Sequence, residues 1–148
     1  MYETILVPID GSEGVKRAAE HATAIAEKFG STVHVLYVAD TTNIDVSAQS
    51  LDLKTVREAM REKGREATAS VAELVERAGV TATTAVESGP TPKTILEYVD
   101  DHDVDLVVMG THGSKGLERW LVGSVAERVV RNAEVPVMTV QLGERSEE

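Results

Sequence analysis

The chemistry of this chain concentrates in two short stretches. From Gly110 the spacing is Gly110-x2-Gly113-x9-Gly123-Ser124, with Ser124 at the start of an amphipathic run. Glycines let a backbone approach a ligand closely and take up positive φ. A helix opening at Ser124 would aim unsatisfied N–H groups and a partial positive charge at whatever lies before it. Phosphate is the guest that suits such a segment. A purely structural reading is a Ser124-x-x-Glu127 capping box with the glycines serving turns, and the two readings are compatible. The second stretch is Asp10-Gly11-Ser12, directly after an apolar run. Asp10 and Ser12 suggest a base and a nucleophile, but no histidine shares their turn, so no triad follows and Ser12 reads as a helix N-cap.

Other chemistries fit poorly. There is neither a G-x4-G-K-S/T loop nor a G-x-G-x2-G fingerprint, which argues against a standard NTPase cradle and a dinucleotide fold. With zero cysteines, disulfides, thiolate metal sites and thiol nucleophiles are excluded. His21, His34 and His102 lack the H-E-x2-H spacing and read as structural, whereas His112 stands inside the glycine segment. Asp100, Asp101, Asp103 and Asp105 resemble a calcium loop. Counted from Asp101, however, the sixth position is Leu106 and the twelfth is His112, so an acidic turn is the better reading. Lys115 reads equally well as a phosphate contact or a solvated loop lysine.

The elements that must position these residues follow from hydrophobic periodicity. Tyr2 to Ile9 is a buried strand. Val15, Ala18, Ala19, Ala22, Ile25, Ala26 and Phe29 mark a helix ended by Gly30, and Thr32 to Val38 is a second strand. The polar stretch from Asp40 to Asp52 reads as a flexible insert before a long helix closed by Gly79. Val80 to Glu87, with one polar face, is an edge strand. Thr91 reads as the cap of a helix with Pro92 in its first position. Leu106 to Met109 is another buried strand. A short helix runs from Ser124 to Ala133, and a last strand covers Val135 to Leu142 with Pro136 near an edge. This alternation predicts a single-domain α/β fold over residues 1–142: a doubly wound, open, parallel five-stranded sheet in the order 3-2-1-4-5, with helices on both faces. Residues 143–148 are a frayed acidic tail. The order reverses between strands 1 and 4, where open α/β sheets bind ligands beyond the strand carboxyl ends. Both chemical stretches begin there.

The run from Asp105 through Met109-Gly110-Thr111-His112-Gly113 and Leu121-Val122-Gly123-Ser124-Val125 to Val135-Pro136-Val137 resembles the universal stress protein family, and the resemblance covers Tyr2 to about Leu142. It implies an α/β sandwich, usually dimeric, and membership of the subgroup whose glycine motif binds ATP. Position by position, it places Pro8 and Asp10 beside the nucleoside, with the Asp10 carboxylate on the ribose hydroxyls. The Val38 backbone would meet adenine, and Met109, Gly110, His112, Gly113, Gly123, Ser124 and Val125 would surround ribose and phosphates. Mg²⁺ or Mn²⁺ would ride on the phosphates of ATP, ADP or AMP rather than in a protein cage.

A formal charge of −10 in 148 residues disfavours nucleic-acid partners, and its sharper reading is adaptation to a salty cytoplasm. Without a membrane span of roughly 18 apolar residues or a signal-like leader, a cytoplasmic protein is expected. The expected function is nucleotide-dependent regulation in a stress response, with hydrolysis absent or slow and no protein catalytic residue. A Mg-dependent ATPase or phosphotransferase is the alternative; only Lys115, Arg119 and Arg128 are near the loop to serve one. A nucleotide-free dimeric interaction module is a further alternative. A phosphoacceptor receiver is rejected because Asp10 has no acidic neighbour. A homodimer through Val135 to Leu142 is expected, since both faces of that edge are partly apolar.

Overall fold

A computed structural model describes residues 1–11, 14–42, 52–111 and 123–141. Along them run β1 (Thr4–Ile9), α1 (Val15–Phe29), β2 (Thr32–Ala39), α2 (Leu53–Arg77), β3 (Ala82–Ser88), α3 (Thr91–Asp101), β4 (Leu106–Gly110), α4 (Ser124–Asn132) and β5 (Val137–Val140). The strands form one parallel sheet in the order β3-β2-β1-β4-β5, as the apolar pattern implied. Strand alternation divides the core in two. Ile5, Val7, Ile9, Val35 and Tyr37 pack under α1 and α2, while Leu6, Leu36, Val107 and Met109 pack under α3 and α4. Each central strand is therefore apolar on both faces, which explains why these strands read as continuous hydrophobic runs.

Local polar contacts set the register. The Asp105 carboxylate, one of the residues in the acidic turn, accepts from the Glu3 and Thr4 N–H groups at 2.9 and 3.0 Å, and the Asp105 N–H donates to the Thr4 carbonyl at 2.9 Å. These bonds tie the start of β1 to the start of β4. Toward the amino-terminal ends of the strands, His34 Nδ1 lies 2.7 Å from the Tyr98 hydroxyl, and His102 stacks on the Tyr98 ring at 3.8 Å. Burial, followed by the nearby charge of His102, holds the His34 imidazole below its ordinary pKa.

Two expected caps differ from the structure. Pro90 occupies the N-cap of α3, so Thr91 is its first helical residue and Pro92 its second. Thr91 instead donates to an aspartate from another element, described below. The N-cap of α1 is Gly14; Ser12, expected there, lies outside the described residues.

One close approach joins α2 to β2. A Cβ added at Gly64 would stand 2.8 Å from Tyr37 Cγ and closer still to Cδ1, so the Tyr37 ring fills the space a side chain would need. Tyr37 is itself buried and pairs in register with Ile9. Gly64→Ala should lower stability by about 1–3 kcal/mol through overpacking, although alanine is favoured over glycine in a helix by about 1 kcal/mol. Urea unfolding measures the sign, and an unchanged or raised midpoint would contradict this packing.

Candidate functional site

The strand order reverses between β1 and β4, and in open α/β sheets such a reversal places the ligand crevice beyond the carboxyl ends of the two strands. Met109 and Val38 belong to the α3/α4 side of the sheet, and Pro8 shares it by alternation with Leu6. Three of the expected residues thus lie on one face near the crevice. The last β1–β2 pair is Ile9 with Tyr37, which leaves Val38 just past the end of β1. Asp10 follows β1 and is half-buried. Gly110 ends β4.

On the other side of the crevice, the Thr111 N–H donates to the Val140 carbonyl and the Gly123 N–H donates to the Thr111 carbonyl. The start of α4 is therefore held directly against the end of β4. Gly123 is the N-cap, with φ −63° and ψ 158°, and no side chain caps the helix among the described residues. The capping box between Ser124 and Glu127 does not form. Ser124 is exposed as the first helical residue, and Glu127 pairs with Arg131 one turn on. The first-turn N–H groups, including those of Ser124 and Val125, must then be satisfied from outside the helix. His112 and Gly113 lie outside the described residues, as do Lys115 and Arg119; Arg128 is exposed on α4.

The structure adds residues that the sequence did not point to. Asp40, placed in the polar stretch after β2, accepts from the N–H and hydroxyl of Thr42 at 3.0 and 2.6 Å. It also accepts from the N–H and hydroxyl of Thr91 at 2.9 and 2.8 Å. Asp40 thus caps α3 from β2, beside Val38. Burial alone would raise its pKa, but the hydrogen bonds from Thr42 and Thr91 outweigh burial and hold the carboxyl below its usual range. The far end of that stretch is likewise a cap, with the Asp52 carboxylate accepting from the Thr55 N–H at 2.8 Å. Arg61 of α2 donates to the Ser88 hydroxyl at 3.0 Å, at the end of β3. Directly after Asp10, Gly11 has φ +87°, a turn conformation open to glycine, and the Lys63 side chain lies across it. Lys63 Cε is 3.3 Å from the point a Gly11 Cβ would occupy. Burial, with the negative charge of Asp10 second, raises the pKa of Tyr37.

A profile of the universal stress protein family matches residues 1–141. The chain belongs to the universal stress protein family. It is 38% identical over 141 residues to universal stress protein MJ0531 of Methanocaldococcus jannaschii, covering 95% of this chain and 83% of the relative. The solved structure of MJ0577, a universal stress protein of the same organism, superposes with a TM-score of 0.86 at 27% identity and covers 99% of each chain. Universal stress proteins solved with cAMP (TM-score 0.73, 24% identity, 96% of this chain and 99% of that one) and, from Archaeoglobus fulgidus, with dAMP (0.69, 20%, 95% and 98%) share the fold. No described helix of this family member is long and apolar enough to cross a membrane.

Asp40 provides a test of how the crevice wall is held. Because its folded pKa is lowered, its contribution to stability is present above the ordinary 3.8 and is lost as pH falls through the folded value. Asp40→Ala should cost about 1–2 kcal/mol at neutral pH, the range for removing a cap. The gap from wild type should narrow in acid, below pH 3.8. Thermal melts from pH 7 to pH 3 show this, and a gap independent of pH would contradict it.

Proposed function

We propose that the crevice binds an adenine nucleotide, ATP foremost, and that occupancy rather than turnover is its purpose, with hydrolysis absent or slow. The observation that carries this reading is the Gly123–Thr111 hydrogen bond. It sets an N-terminus that no described side chain caps beside the end of β4, where N–H donors and the helix dipole suit phosphate. The donor set fits the rest of the ligand. Asp10 offers a carboxylate to the ribose hydroxyls, the Val38 backbone lies beyond the last β1 pair for adenine, and Pro8, Met109 and Gly110 border the sugar. His112 and Gly113 are assigned to the phosphates by motif position. Mg²⁺ or Mn²⁺ would ride on the phosphate oxygens and neutralise part of their charge. The cAMP and dAMP bound by two proteins of the same fold are consistent with a crevice shaped for an adenine nucleotide. A cytoplasmic role in a stress response belongs to the same reading. An ATPase would also need a base and a cation aimed at the leaving group; of the described residues flanking the glycine segment, Asp10 is assigned to ribose and Arg128 is exposed on α4.

The ribose and phosphate contacts are separable. Asp10→Ala should weaken adenosine and ATP alike by roughly ten to a hundred fold, the range for a hydrogen bond to a charged group. Ser124→Pro removes one N–H from the first helical position, where proline is well tolerated, and Gly123 already has the extended ψ that a residue before proline prefers. This variant should keep its circular dichroism, lose about tenfold in ATP affinity and bind adenosine unchanged. Calorimetry in which folded Ser124→Pro keeps full ATP affinity would remove the phosphates from α4.

We also read β5 as the edge of a homodimer. Val137 packs inward against the α3/α4 core, whereas Met138 on β5 and Val130 on α4 are 37% and 49% exposed. A contact through this edge would cover such apolar surface. Met138→Lys should yield a monomer by light scattering, and an unchanged dimer mass would place the interface elsewhere.

A further inference from the structure

We infer that Lys63 of α2 is a further ligand-binding residue of the crevice, one that contacts the anionic part of the nucleotide from the side opposite α4. The inference rests on the nucleotide reading above and adds a residue that the glycine motif does not contain. Its basis is a chain of contacts. The Tyr37 ring fills the space where a side chain at Gly64 would stand, so the α2 backbone descends onto β2 at that point. The neighbouring residue, Lys63, is thereby laid across Gly11, with Cε and Nζ at 3.3 and 3.9 Å from the Cβ position of that glycine. Gly11 lacks the side chain that would push the lysine away, and its positive φ, +87°, turns the chain at the crevice mouth immediately after Asp10.

Charge supports the same role. Between Leu53 and Arg65 the chain carries Lys54, Arg57, Arg61, Lys63 and Arg65 against Glu58 and Glu62, although the whole protein has a net charge of −10. Glu62 pairs with Arg65 at 2.9 Å, and Arg61 is held on Ser88 at the end of β3. Lys63 is the member of this set that reaches the residue following Asp10. In an acidic protein, such a local excess of cations at the carboxyl ends of the strands offsets the repulsion that a polyphosphate meets on approach. A lysine ammonium acts there as a point charge on a flexible stem, able to follow a phosphate chain without fixed geometry.

The test titrates ATP and adenosine into wild type, Lys63→Gln and Lys63→Arg at low and moderate salt. Lys63→Gln should lose about tenfold in ATP affinity, bind adenosine as wild type does and show a shallower salt dependence for ATP. Lys63→Arg, which keeps the charge, should recover most of the ATP affinity. ATP affinity unchanged in Lys63→Gln, while wild type binds ATP, overturns this inference and leaves the nucleotide reading standing. An equal loss for ATP and adenosine also overturns it, because Lys63 would then act on Asp10 or the ribose instead. A wild type that binds neither ligand removes the reading and the inference together.

Discussion

The pairing of β1 with β4 is the constraint on which everything else depends. Ile5 pairs with Leu106 and Leu6 with Val107, and the Asp105 carboxylate and N–H bind the first residues of β1 at the same edge. The chain winds outward from this pair in both directions, through β2 and β3 on one side and β5 on the other. Right-handed crossovers then place α1 and α2 on one face and α3 and α4 on the other. The connections leave β1 and β4 in opposite directions, so a gap opens above the pair. The crevice is a consequence of topology before any side chain is chosen.

What surrounds the crevice is built by close backbone approaches. Gly123 reaches the Thr111 carbonyl, Gly64 admits the Tyr37 ring and the Gly89 N–H reaches the Ala39 carbonyl at 3.1 Å. Each brings a helix or turn against the end of a strand. Asp40, directly after β2, then holds the start of α3 with two hydrogen bonds from Thr91 and its own turn with two from Thr42. Under the reading proposed above, the favourable charge that an anion needs on an acidic chain is local, from the dipole and N–H groups of α4 on one side and the basic first half of α2 on the other.

The sheet and its order were legible because burial on both faces writes itself into β1 and β4 as unbroken apolar runs, and exposure writes itself into β3 as threonines. The location of the crevice followed from that order. The finer contacts were not legible, because they join residues far apart in the chain. Nothing local marks Lys63 or Gly64 as neighbours of Gly11 and Tyr37, and Asp40 caps a helix that begins 51 residues later. The local signals misled where tertiary contacts compete with them. Ser124 and Glu127 have the capping-box spacing, yet Glu127 pairs forward with Arg131. Thr91 looks like a cap, yet it is itself capped by Asp40.

The most direct measurement is a titration of isotopically labelled protein with Mg-ATP, followed by amide chemical shifts. A nucleotide seated between β1 and β4 with its phosphates on α4 should move the amides of Gly11, Ala39, Gly110, Ser124 and Val125 most. Those around His34, Tyr98 and His102, toward the amino-terminal ends of the strands, should stay in place. Shifts concentrated around that aromatic cluster or along β3, with the α4 amides unmoved, would contradict a nucleotide site at the strand reversal.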